Sequence, residues 1–152
     1  MKFRTTSEKD TYAFGSALGA GLVVGDCVLL NGDLGAGKSV VARGIAGAHG
    51  ITGPMPSPTF VLMIPYEGST NVYHFDLYRM DDPDEFYQAG LQEYIGGDGI
   101  AVVEWPEMAE LEPAGAVKVN VLRSENDDDE RIIEVSAPES VLSGMEAWRI
   151  DG

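Results

Sequence analysis

The sequence holds one cysteine, two histidines, ten lysines and arginines, and no long apolar run. Each scarcity excludes something. Cys27 alone can form no internal disulfide, and inside the run "CVLL" it reads as a small buried hydrophobe. The ten cations stand against twenty-five aspartates and glutamates, giving a formal net charge of -15. That balance repels a polyanion and argues against a large nucleic-acid footprint on this chain itself, although acidity also serves solubility. If RNA is involved, a partner must hold it. No apolar stretch approaches the ~18 residues needed to span a bilayer. The opening "MKFRTTSEKD" lacks the apolar segment of a secretory signal, so no membrane association and a cytoplasmic location are expected.

At 152 residues, with 44% hydrophobic and 23% charged, the chain reads as one domain over 1–152 with one core. Ser7 is placed to cap a helix over about 8–21, with Asp10 three residues on and apolar residues at helical spacing behind it. Gly25-Asp26 marks a turn, "CVLLNG" a strand buried on both faces, and 38–49 a helix. "TFVLMIPY" and "VYHFDLY" read as two strands joined by the hairpin connection "EGSTN". Residues 83–95 read as a helix, and "IAVVE" as a second buried strand. "VKVNVLR" and "RIIEVSA" alternate around the acidic turn "SENDDDE", which predicts an antiparallel hairpin open on one face. A short helix is expected within 138–150. The sum is an α/β fold, a three-layer P-loop NTPase-like domain whose central mixed sheet combines a parallel part with antiparallel hairpins.

Gly32-Asp33-Leu34-Gly35-Ala36-Gly37-Lys38-Ser39 matches G-x-x-x-x-G-K-[ST] between a strand and a helix. Glycines let successive N–H groups curl around phosphates, Lys38 reaches the β and γ phosphates, and Ser39 offers a hydroxyl to Mg²⁺. Such a loop needs an acid at the end of a neighbouring strand. Glu104 in "GIAVVEW" holds that Walker-B-like position, and Asp76 in "VYHFD" is the rival or complementary acid. His74 shares a strand face with Asp76, which permits a His and Asp pair, and Arg79 could contact phosphate or pair with Asp76. "SPTF" places Ser57 and Thr59 around a proline, as in a loop that senses the γ-phosphate. An N/T-K-x-D guanine-reading motif is lacking, which favours ATP.

"GDLGAGKS", "SPTF", "HFDLYR" and "GIAVVEWPE", in this order, resemble the bacterial TsaE (YjeE) family over about 11–107. The resemblance implies an ATPase that helps form N6-threonylcarbamoyladenosine at position 37 of tRNAs reading ANN codons. It implies ATP and Mg²⁺ as cofactors, and TsaB and TsaD subunits as partners that ATP hydrolysis resets and that alone would hold the tRNA. Carried over residue by residue, it implies a nucleotide site of Thr11, Asp33, Leu34, Gly35, Ala36, Gly37, Lys38, Ser39, Val40 and Thr59. Ser39 and Glu104 would hold the metal, and Asp76, Glu104 and Lys38 would serve catalysis, with Trp105 at the place of the family's tryptophan. Weak activity alone is expected, because the chain has only six arginines and no obvious arginine finger. The competing readings are a P-loop small-molecule kinase and a nucleotide-gated interaction module that does not need hydrolysis.

Overall fold

The computed structural model of the chain describes residues 1–56 and 61–151. Its strands and longer helices are β1 (Lys2–Thr5), α1 (Glu8–Ala20), β2 (Cys27–Asn31), α2 (Lys38–Ala48), β3 (Met63–Tyr66), β4 (Val72–Asp76), α3 (Asp84–Gln88), β5 (Ile100–Glu104), β6 (Val117–Arg123), β7 (Arg131–Ser136) and α4 (Glu139–Leu142). The helix expected over 8–21 begins as its cap predicts: the Ser7 hydroxyl accepts from Asp10 N at 3.0 Å. The reciprocal bond falls one residue early, with the Asp10 carboxylate accepting from Thr6 N at 2.9 Å. Both anions of the first turn, Glu8 and Asp10, sit at the positive end of the helix dipole.

The described strands form one seven-stranded sheet in the order β1-β7-β6-β2-β5-β4-β3. β2 is parallel to both neighbours, β5 and β6, and β4 is parallel to β5. Antiparallel pairs close both ends: β3 with β4 on one side, β6 with β7 and β7 with β1 on the other. This is the mixed sheet that the sequence predicts. Short, consecutive apolar strands such as β2 and β5 are buried on both faces, so the sheet splits the expected single core into two clusters. Phe14, Leu30, Val41, Ile45 and Val102 pack on the α1 and α2 side; Leu29, Phe75, Phe86 and Val103 pack on the α3 side. On β6 the buried Val117, Val119 and Val121 alternate with Lys118, Asn120 and Leu122, so the terminal hairpin is open on one face as predicted.

Two local expectations change, and one strand is additional to them. The helix over 83–95 is broken into α3 and a 3₁₀ turn at Leu91–Tyr94, because Gly90 between them adopts φ 73°. The segment 138–150 holds α4 and a second short turn, Glu146–Trp148, rather than one helix. The strand β1 lies in a stretch whose alternation, Lys-Phe-Arg-Thr, is too short to signal itself; its register on β7 is what buries Phe3 and Thr5. No helix among the described residues is long and apolar enough to cross a membrane.

α1 and α2 cross where both are stripped of side chains. A Cβ built on Gly15 would lie 2.5 Å from the Val41 carbonyl oxygen, and one on Gly44 would strike the Tyr12 carbonyl. His49 Nε2 locks the same crossing with a 2.8 Å bond to the Gly19 carbonyl. Gly15→Ala is expected to lose ~1–3 kcal/mol of stability, since overpacking against backbone outweighs the gain in helix propensity. Urea titration checks this, and a raised midpoint would mean that the helices part without cost.

Candidate functional site

The turn from β2 to α2 is built for an anion. Gly35 and Gly37 lie at φ 77° and 110°, in the left-handed region that side chains disfavour. Gly37 is the N-cap of α2 and offers no side-chain bond; Val40 N–H is taken by the Gly37 carbonyl, and among the described residues the Lys38 and Ser39 N–H groups keep their capacity for a ligand. Asp33, Leu34 and Gly35 are exposed, whereas Ala36 is buried and anchors the turn. These residues fit a phosphate group.

Two acids stand beside this turn. Asp76 and Glu104 are cross-strand partners at the C-terminal ends of parallel β4 and β5, and Glu104 also faces Leu30 at the end of β2. Ligand sites of open α/β sheets gather at these strand ends. The partner of His74 is Glu104, not Asp76: Nε2 lies 2.6 Å from Glu104 Oε2, with both side chains buried. Residues two apart share a face but point in parallel, whereas a neighbouring strand places Glu104 within reach. Among the described residues His74 Nδ1 has no hydrogen-bond partner, so the Glu104 bond is the ring's one polar tie. Arg79 is exposed and forms no ion pair with Asp76 among the described residues; Asp76 Oδ1 instead accepts from Tyr78 N at 3.1 Å.

Burial raises the Asp76 carboxyl above its usual range; the Tyr78 N–H opposes this, and the Glu104 charge adds to it. The folded chain therefore holds that proton more tightly than the unfolded one. The stability this contributes is complete below the unfolded value and is lost as pH rises through the folded value. Asn at this position keeps an oxygen for Tyr78 N and carries no charge. Asp76→Asn is thus expected to melt higher than the parent at pH 7, the advantage vanishing below about pH 4. Thermal melts across that range check it.

Lys38 is 4% exposed. Its ammonium donates to the Gly32 carbonyl at 2.6 Å and lies 3.5 Å from the centre of the Trp105 ring. Burial lowers its pKa, and the carboxylates of Glu104, Asp76, Glu107 and Asp33 push the other way. Trp105 is held at φ 58°, one of two described non-glycine residues with positive φ, and packs against Tyr78 with ring centroids 4.8 Å apart and the planes tilted by 46°. A bulky aromatic in this region is strained, and strain of this kind gathers at functional sites.

A cleft of about 230 Å³ opens between the turn, α1 and β7, lined by Thr11, Gly35, Gly37, Ser39, Val40 and Arg131, with Glu8 and Asp129 at its rim. Thr11 is less free than the sequence suggests. Its one hydroxyl proton goes to the Ser7 carbonyl at 3.0 Å, so at 2.6 Å it accepts from Thr5, and toward the cleft it can only accept. Thr59 lies outside the described residues. The sequence reading missed Arg123 and Arg131. Arg123 donates to the Gly35 carbonyl at 2.9 Å, and Arg131 Nε to the Ala36 carbonyl at 2.6 Å. The symmetric flanking of "SENDDDE" by these arginines was the available signal, but only the sheet order brings them to the turn. Cys27 is buried with its thiol pushed up to about 12, by burial and then by Asp26, which leaves it inert.

A glycine-rich turn between a central parallel strand and a helix, with acids on the adjacent strand ends, defines a P-loop-type α/β protein. The family model described as Threonylcarbamoyl adenosine biosynthesis protein TsaE matches residues 5–133. A tRNA threonylcarbamoyladenosine biosynthesis protein TsaE from Bacillus subtilis is 38% identical over 139 residues, covering 90% of this chain and 85% of its own length. One from Nostoc is 35% identical, covering 97% and 93%. The crystal structure of Bacillus subtilis YdiB superposes with a TM-score of 0.75 at 32% identity, over 97% of this chain and 92% of that one. The chain belongs to the TsaE family.

Proposed function

We propose that this chain is the ATP-binding and hydrolysing subunit of a cytoplasmic complex that forms N6-threonylcarbamoyladenosine at position 37 of tRNAs reading ANN codons. Its turnover resets a TsaB–TsaD pair, which alone holds the tRNA. Membership of the family supports the pathway, and the -15 net charge supports leaving the tRNA to partners. The observation that carries the reading is the meeting of three charges: Lys38 of the loop, Glu104 and Asp76, brought together from three elements at the C-terminal ends of parallel strands.

In this reading the turn from Gly32 to Ser39 cradles the phosphates through its N–H groups. Lys38 leaves the Gly32 carbonyl for the β and γ oxygens, where an ammonium already desolvated acts strongly. Ser39 and Glu104 would hold Mg²⁺, which when bound would neutralise charge on the phosphate oxygens. Asp76, beside Glu104, orients the attacking water. His74 keeps the Glu104 carboxylate in place. Among the described residues Arg123 and Arg131 both point to loop carbonyls, so turnover is expected to be weak until TsaB and TsaD join.

The test measures ATP turnover of the purified chain alone and with TsaB and TsaD. Acceleration by the pair supports the reading, and equal rates would sink it. If Glu104→Gln and Asp76→Asn abolish hydrolysis yet leave tRNA modification intact, the chain is a nucleotide-gated module.

A further inference from the structure

We propose that Arg131, assisted by Arg123, is a positioning residue that holds the phosphate loop receptive and thereby links nucleotide binding to the β6–β7 hairpin. The inference rests on reading 32–39 as the phosphate cradle. Arg123 and Arg131 are cross-strand partners at the turn end of the hairpin, on the face that carries Val119, Val121 and Ile133 toward α2. They reach back over 88 and 95 residues to two successive carbonyls of the turn.

The geometry has a direct consequence. In a trans peptide the carbonyl and the following N–H point in opposite directions. The Gly35 carbonyl is tied to Arg123 while the next N–H, of Ala36, bonds the Asp33 carbonyl at 3.0 Å, so that peptide is held at both ends. The Ala36 carbonyl is tied to Arg131, which aims the Gly37 N–H away from the guanidinium, at the entry to α2. Without these ties a glycine-rich turn samples many orientations, and binding would bear the entropy of ordering it. Arg131 is itself fixed by the Glu130 carbonyl at 3.0 Å and by the Asp128 carbonyl, so the acidic turn is what braces it. A side chain at the first tie is disfavoured by φ 77° at Gly35, and its Cβ, 2.8 Å from the Arg123 guanidinium, would displace that arginine.

Coupling of this kind is reciprocal: if the hairpin orders the loop, phosphate in the loop orders the hairpin. The experiment uses the full chain with a non-hydrolysable ATP analogue and Mg²⁺. It reads the dissociation constant by calorimetry and amide exchange over 117–136 by mass spectrometry. The parent is expected to bind and to slow exchange in the hairpin. Arg131→Gln is expected to weaken binding about tenfold, the weight of a charged hydrogen bond, and to erase the exchange effect. Arg131→Lys, which keeps the charge but not the fork, should recover only part of the affinity. Arg123→Gln, at an exposed tie, should show the smaller loss. Arg149→Gln, equal in charge but on the C-terminal segment, should bind as the parent does. In turnover, KM should rise while kcat holds. Failure of the parent to bind would overturn the phosphate-cradle reading itself. Binding by the parent with unchanged affinity and exchange response in Arg131→Gln would overturn the linkage alone. Should Arg131→Gln melt early, Arg131→Lys and Arg123→Gln decide by the same two readouts.

Discussion

Lys38→Met should cut kcat/KM for ATP hydrolysis by ~10²–10³-fold, the range for loss of one preorganised group facing charge in the transition state. The size follows from where the ammonium sits. It is almost fully buried, above an aromatic face and near the Glu104 and Asp76 carboxylates, so solvent screens it little and only its bond to the Gly32 carbonyl is exchanged when phosphate arrives. Methionine keeps an unbranched stem over Trp105 and removes only the charge and its bond to the Gly32 carbonyl. The fold should survive, because the lysine is held at a desolvation cost rather than for stability. Steady-state turnover with a thermal melt separates the two effects. Retained hydrolysis in a folded Lys38→Met would remove the loop from the mechanism.

Glu104→Gln should lower kcat by ~10²–10³-fold, the range for loss of one group that stabilises transition-state charge, while nucleotide affinity moves by no more than about threefold. Glutamine can still accept from His74 Nε2, so the 2.6 Å tie persists and the charge alone is lost. Alanine differs in kind. It leaves both imidazole nitrogens of a 1%-exposed histidine without a partner among the described residues, which should cost a further ~1–3 kcal/mol of stability. The contrast between Glu104→Gln and Glu104→Ala in unfolding, against their similarity in turnover, separates the carboxylate's chemistry from its packing. Unchanged turnover in Glu104→Gln would remove Glu104 from the metal site.

The outline of the site was legible because each part announces itself locally. The spacing of Gly32, Gly37, Lys38 and Ser39 is a contiguous motif, and Glu104 and Asp76 are the first charges after apolar runs. The same logic found the Ser7 cap and the alternation of β6 and β7. It failed where a contact crosses strands. Whether His74 meets Asp76 or Glu104 depends on the register of β4 on β5, which periodicity along one strand does not contain. It failed also at Gly90, where one residue at positive φ breaks a helical composition, and at β1, whose four residues are a strand only because β7 offers an edge.

By itself, then, the chain's order of residues determined the elements other than β1 and the break at Gly90, the phosphate turn and the two acids, since helix caps, strand alternation and glycine-rich turns act over a few neighbours. The tertiary structure alone decided what those residues touch. It set Lys38 over Trp105, bound His74 to Glu104, committed the Thr11 hydroxyl to Ser7 and Thr5, and brought Arg123 and Arg131 to the loop. These contacts follow from a strand order in which β6 lies next to β2 and β7 next to β6, and that order is settled by burying two apolar clusters at once. Burial of that kind is a property of the whole chain, and no short stretch of it carries the information.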